Sequence, residues 1–243
     1  PAVKLLYLSG INNAITLAQA MGLSTITDPS RYGLSLVLGG GEVTLLELTN
    51  AYGVFADNGI YHKQQGILEI RDRDDSVLQK FTPIETEVLP ENVTTLISSV
   101  LSDNVARTPS YGANSALYFK ERPVAVKTGT TNDYKDVWVV GYTPSIVIGM
   151  WAGNNDNTPM KKGSSISGPA WREYMDLAIA KYPSGNFPDP IYDYKEDTSV
   201  KPILRGVWQG GQTYVIDTVS GKLATEFTPL ETREERVITS IHT

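Results

Sequence analysis

Val124-Ala-Val-Lys127-Thr128-Gly129-Thr130-Thr131 is the stretch on which the reading of this chain turns. Val124 and Val126 alternate with Ala125 and Lys127, the period-two pattern of a half-buried strand. The strand then runs into residues that strands seldom favour. Lys127 sets a cation beside the hydroxyls of Thr128, Thr130 and Thr131. Gly129 has no side chain, so a second backbone can approach closely. An ammonium, hydroxyl donors and free strand backbone together suit the carboxylate end of an extended peptide. Lys-Thr-Gly alone is a weak signal, because a sheet edge with a solvated lysine gives the same letters.

The neighbouring residues extend the strand into a sheet. Two further strands are expected at 136–143 and 145–151, with Thr143-Pro144-Ser145 as a short turn that makes them antiparallel. A helix follows from about Ser167, with Ser167 as N-cap, Pro169 in the first turn and Trp171, Tyr174, Met175, Ala178 and Tyr182 as its buried stripe. Upstream, helices are predicted over 12–21, 42–56 and 91–102. The last carries Val93, Leu96, Ile97, Val100 and Leu101 as an apolar face. Residues 23–35 and 103–121 read as loops. Segments 67–71 and 76–81 read as a hairpin around Asp72-Arg-Asp-Asp75. Residues 183–202 are rich in proline and acidic side chains and read as a linker. Residues 213–216 and 222–227 flank Val219-Ser-Gly221 as a second hairpin.

Composition narrows the functional classes. The 243 residues carry a formal net charge of −6 and no basic cluster, which argues against nucleic acid as a partner. There is no cysteine, hence no disulfide and no thiol nucleophile. His62 and His242 lack ligand spacing, so no zinc site is expected, and the Asn/Asp residues of 154–163 lack the spacing of a calcium loop. Gly39-Gly-Gly41 precedes a predicted helix, but no Gly-Lys-Ser/Thr follows, and Glu42 stands where a phosphate would sit. No cofactor is expected. No apolar run reaches the length of a membrane span.

With its flanks, the strand resembles a known family. Arg122-Pro-Val-Ala-Val-Lys-Thr-Gly-Thr-Thr-Asn-Asp-Tyr134, Asp136-Val-Trp138 with Gly141-Tyr-Thr-Pro144, and Gly149-Met-Trp151-Ala-Gly-Asn-Asn-Asp156 are similar to the third-motif region of class A penicillin-binding proteins. Leu36 to Gly59 is similar to another stretch of the same transpeptidase domain. The likeness is close over 1–182 and looser over 183–243. It implies an α+β fold of the penicillin-recognising, serine β-lactamase-like type, an antiparallel sheet flanked by helices, with 1–182 as the C-terminal portion of the transpeptidase domain and 183–243 as an extension.

That family combines Ser-x-x-Lys, Ser-x-Asn and Lys-Thr-Gly. No serine here has a lysine three positions on. Thr158-Pro-Met-Lys161 has the wrong nucleophile and the wrong order. Ser102-Asp-Asn104 and Ser184-Gly-Asn186 match Ser-x-Asn by letter only, the first too near Lys127 and the second after it. The chain opens on apolar Pro1-Ala-Val and closes on the strand-like Arg236 to Thr243, and the expectation is an interior piece whose nucleophile lies upstream.

The resemblance implies a mechanism. A serine outside this chain attacks a stem-peptide carbonyl between two terminal D-alanines, and an amine from a neighbouring stem resolves the acyl-enzyme. Thr130 would give one oxyanion N–H, and Lys127 positive potential. The Thr128 and Thr130 hydroxyls, with Thr131 beside them, would meet the carboxylate, and Gly129 would admit the peptide along the strand. Implied partners are peptidoglycan stem peptides and β-lactam antibiotics, with an upstream glycosyltransferase domain and a membrane anchor on the extracytoplasmic face. Asp136 and Trp138 are expected to support the strands. Two other readings stand beside this one: a D,D-carboxypeptidase or β-lactamase of the same fold, and a penicillin- or stem-peptide-binding module without turnover. An open groove with exposed apolar residues is expected at the Lys127 edge, with no serine hydroxyl on its ammonium.

Overall fold

A computed structural model of the chain describes residues 1–160, 167–183, 185–190 and 212–238. Two compact units divide it, Pro1–Asp193 and Tyr194–Thr243. In the first, helices α1 (Ala2–Ser9), α2 (Ile11–Ala20), the short α3 (Pro29–Tyr32) and α4 (Leu45–Ala56) precede the short strands β1 (Ile60–His62), β2 (Glu69–Arg71), β3 (Val77–Lys80) and β4 (Glu85–Glu87). Next come α5 (Glu91–Ser102), α6 (Asn104–Tyr111), β5 (Ala125–Thr130), β6 (Asp136–Thr143), β7 (Ile146–Gly153) and α7 (Ser167–Lys181). The second unit contains β8 (Gln212–Asp217) and β9 (Arg233–Ile238). None of the described helices is long and apolar enough to cross a membrane.

The centre is an antiparallel sheet in the order β5-β6-β7, as the turn at Thr143–Ser145 predicts. Residues directly opposite each other share a face. Val126, Gly141 and Ile148 therefore face one side with Val139, and α7 covers them, driving Trp171 and Met175 into a core completed by Leu117 and Val124. The Trp171 indole N–H donates to the Ile148 carbonyl at 3.1 Å. The other face packs against α4, where a Cβ on Gly149 would lie 2.0 Å from Thr49 Oγ1. Both faces are thus covered where β5 begins: Ala125 is as buried as Val124 and Val126, and exposure starts only at Lys127. The half-buried alternation expected from sequence is a strand covered on both sides that emerges into solvent.

α5 forms over the predicted residues but turns a different face inward. Thr94, Thr95 and Ser98 are buried, whereas Val93, Ile97 and Val100 are exposed, Val100 by 71%. The hydroxyls tolerate burial because each has a partner. Thr94 and Thr95 donate to the carbonyls of Glu91 and Asn92, and Ser98 Oγ lies 3.0 Å from Tyr142 OH. Periodicity finds an apolar stripe but not which side the sheet takes. α7 keeps Trp171, Met175 and Ala178 on the core, joined by Ile179, but Tyr174 and Tyr182 lie exposed on its flank and beyond its end. Ser167, expected as the N-cap, is the first helical residue, and it is buried.

Other boundaries differ for local reasons. Ala2–Ser9 is helical, and so is Asn104–Tyr111, part of the 103–121 stretch read from sequence as loop because of Pro109, Gly112 and Asn114. Asp103 caps α6 by accepting the Ala106 N–H at 3.0 Å, and Arg107 ties the helix to the Leu101 and Leu117 carbonyls, so the helix forms despite Pro109. α4 starts at Leu45 behind the Thr44 cap, so Glu42 lies before the helix rather than at its positive end. The absence of Gly-Lys-Ser/Thr still excludes a phosphate loop. Gly59, at φ +106°, sits so close to the Leu89 carbonyl that a side chain there is impossible, and this contact brings β1 beside β4. β2 and β3 form the expected hairpin. The predicted pairing of 213–216 with 222–227 does not occur as a ladder. β8 pairs instead with β9, and Leu223 makes a single bridge to Ile216. Lys161, Ser184 and most of the 183–202 stretch lie outside the described residues.

Candidate active-site groove

Among the described residues β5 bonds to β6 on one side only, so its other edge offers unpaired backbone. A groove of about 690 Å³ lies on the α4 side of the sheet and reaches this edge, with Trp138, Val140 and Trp151 of the neighbouring strands in its lining. Lys127, Thr128, Gly129, Thr130 and Thr131 all line it, and Leu36, Leu38, Leu45 and Leu48 stand among its apolar residues. Leu38 is 72% exposed, in keeping with the expected open, apolar-lined edge.

The five residues share the groove without forming one cluster. Lys127 and Gly129 lie opposite Val140 and Trp138 on the α4 face, and Thr128 and Thr130 alternate to the other. Lys127 Nζ donates to the Thr128 carbonyl, and among the described residues no serine hydroxyl bonds it. Each hydroxyl has a different fate. Thr128 Oγ1 lies 2.5 Å from the phenol of Tyr111, the last residue of α6. Thr131 Oγ1 accepts the Asp136 backbone N–H at 2.7 Å and donates to its carboxylate at 3.2 Å. The Thr130 side chain is exposed, and its hydroxyl has no partner among the described residues.

Gly129 is not required by packing. A Cβ there would meet only Trp138 Cβ, at an ordinary 3.6 Å. Gly141, in the adjacent strand, is different: its Cβ would lie 2.4 Å from Trp171. The open space at Gly129 is on the strand that borders the groove.

The supporting residues behave as sequence suggests. Asp136 ties the three strands at one end, with Trp151 donating its indole N–H to the same carboxylate at 3.0 Å. Trp138 pairs across the strands with Trp151, ring centroids 6.5 Å apart. Ser102-Asp-Asn104 serves the α5–α6 junction. Ser102 Oγ donates to the Ser99 carbonyl, Asp103 caps α6, and Asn104 Nδ2 donates to the Ala113 carbonyl at 3.0 Å. Tyr111, the partner of Thr128, is the residue that sequence reading missed, since it falls within a segment read as loop.

The family description "Penicillin binding protein transpeptidase domain" matches residues 27–176, which include the whole groove strand. The chain belongs to the penicillin-binding protein transpeptidase family. Penicillin-binding protein 1A of Aquifex aeolicus is 35% identical over 196 residues, covering 78% of this chain and 25% of that protein. Penicillin-binding protein 4 of Bacillus subtilis is 30% identical over 169 residues, covering 69% of this chain and 26% of that protein. The chain thus spans about a quarter of the length of these curated relatives. Among solved structures, penicillin-binding protein 1A from Haemophilus influenzae superposes with a TM-score of 0.63 at 21% identity, over 96% of this chain and 37% of the other. The PonA1 protein from Mycobacterium tuberculosis, solved in complex with penicillin V, gives 0.61 at 24%, over 74% of this chain and 52% of the other. The α+β penicillin-binding transpeptidase fold expected from the resemblance is the fold observed.

Proposed function

We propose that this chain supplies the carboxylate-binding half of the active site of a peptidoglycan D,D-transpeptidase. The observation that carries the reading is the free edge of β5. It sets Lys127 and a Thr130 hydroxyl that is unengaged among the described residues on the groove, with Gly129 between them at a place where packing makes no demand for glycine. A stem peptide lying along that edge would pair its backbone with β5 and bring its terminal carboxylate to Lys127, Thr128 and Thr130. A β-lactam would present its carboxylate in the same way.

In this reading the serine is supplied from outside this chain, since none of the serines here has a lysine three positions on. Its Oγ attacks the carbonyl between the two terminal D-alanines, the peptide bond breaks, and D-alanine leaves with the proton on its amine. An amine of a neighbouring stem then attacks the ester, forms the cross-link and returns the serine. The Thr130 backbone N–H is one donor to the oxyanion of each tetrahedral intermediate; one such donor is worth roughly 10²–10³ in rate. The whole protein would work on the extracytoplasmic face of the membrane beside a glycosyltransferase domain.

Fluorescent penicillin followed by denaturing electrophoresis tests this. The 243-residue chain alone stays unlabelled, and the whole protein labels on a serine outside it. Label on the isolated chain overturns the assignment of the nucleophile. A whole protein that binds penicillin reversibly without a covalent adduct supports the non-catalytic binding module instead. Rapid turnover of penicillin supports a β-lactamase.

A further inference from the structure

Tyr111 is held with unusual care for a residue half exposed to solvent. α6 is short, but it is fixed at both ends. Asp103 caps its start, and the Arg107 guanidinium donates to the carbonyls of Leu101 and, at 2.9 Å, Leu117. Asn104 Nδ2 reaches the Ala113 carbonyl just past its end, and the Gly112 N–H donates back to the Thr108 carbonyl at 2.8 Å. The result is a rigid mount whose last side chain delivers a phenol to Thr128 Oγ1 at 2.5 Å. Thr128 lines the groove, whereas Tyr111 stands behind it and outside the lining.

A threonine hydroxyl has one hydrogen and two lone pairs. A phenol is the better donor of the two alcohols. With Tyr111 donating, one Thr128 lone pair is occupied and the Thr128 hydrogen is left for an acceptor in the groove. Donation into a hydroxyl also strengthens the bond that hydroxyl makes onward. An anion is the acceptor that gains most.

We infer that Tyr111 is a positioning residue for substrate carboxylate recognition, acting through the Thr128 hydroxyl. This rests on the carboxylate subsite proposed above. Without the phenol, Thr128 is free to turn its hydrogen elsewhere, and carboxylate-bearing ligands lose part of their advantage over neutral ones.

The experiment compares acylation of the whole protein by benzylpenicillin and by its methyl ester, before and after Tyr111→Phe. Phenylalanine keeps the ring, so folding is preserved. The expected result is a roughly 3- to 10-fold slower acylation by benzylpenicillin, the size of one lost neutral hydrogen bond, with the ester rate unchanged. In a Thr128→Val background, Tyr111→Phe has no further effect. Equal losses for acid and ester, an undiminished acid rate, or full additivity with Thr128→Val each overturn the role of Tyr111. A wild-type protein that reacts equally with acid and ester overturns the carboxylate subsite itself, and so separates the two failures.

Discussion

Asp136 binds Thr131 and Trp151 at once: Oδ1 accepts the Trp151 indole N–H at 3.0 Å, and Oδ2 accepts the Thr131 hydroxyl at 3.2 Å. The carboxylate at the start of β6 thereby fastens the end of the groove strand to β7. Asp136→Ala releases both donors but keeps the backbone bonds that Asp136 makes with Thr131. Because the site is open to water, the cost in stability is only about 1 kcal/mol, read from the urea midpoint at constant slope. Acylation by penicillin falls as well, since the carboxylate anchors Thr131 next to Thr130.

Lys127 emerges from the sheet where burial ends, and its ammonium bonds only to the neighbouring Thr128 carbonyl among the described residues. Lys127→Ala should leave the melting temperature within about 2 °C. Acylation of the whole protein slows by roughly 10- to 100-fold, the worth of a charge-assisted bond to a carboxylate. Unchanged acylation kinetics would remove Lys127 from the site.

Gly129 and Gly141 are glycines of neighbouring strands with opposite reasons for being there. Gly141→Ala drives a methyl group into Trp171 and should cost about 1–3 kcal/mol of stability by overpacking. Gly129→Ala meets only ordinary contact and should be near neutral for folding. Its acylation nevertheless slows about tenfold or more as the methyl group holds the peptide off the strand. A paired measurement of thermal melting and penicillin labelling on both variants checks the contrast.

Tyr142 is buried beneath α5 with its phenol against Ser98, and burial raises its pKa well above the usual 10, while Tyr52 beside it is raised for the same reason. The folded state therefore keeps these protons after the unfolded state has lost them. Stability is fully present below pH 10 and falls as pH rises above it. Urea midpoints between pH 8 and pH 11 should show this decline, and Tyr142→Phe should flatten it. That variant also costs about 1–3 kcal/mol at pH 7, because Ser98 loses its partner.

The sequence by itself determined the sheet and the groove strand. Alternation at Val124–Lys127, a turn at Thr143–Ser145 and helical spacing from Trp171 to Ala178 are local signals, and local signals specify elements and their antiparallel neighbours. They also determined the family, through Lys127-Thr-Gly129 and its flanks. Only the tertiary structure decided which side of each element is inside. α5 carries a complete apolar stripe, yet it buries Thr94, Thr95 and Ser98, because a buried hydroxyl with a partner is cheap and Tyr142 from β6 supplies one. β8 forms its ladder with β9 and only a single bridge with the nearby 222–227 segment. Tyr111 meets Thr128 across 17 residues because Asp103 and Arg107 fix a helix that Pro109 appeared to forbid. In each case the deciding partner lies outside the window in which periodicity operates, so no reading of that window could have named it.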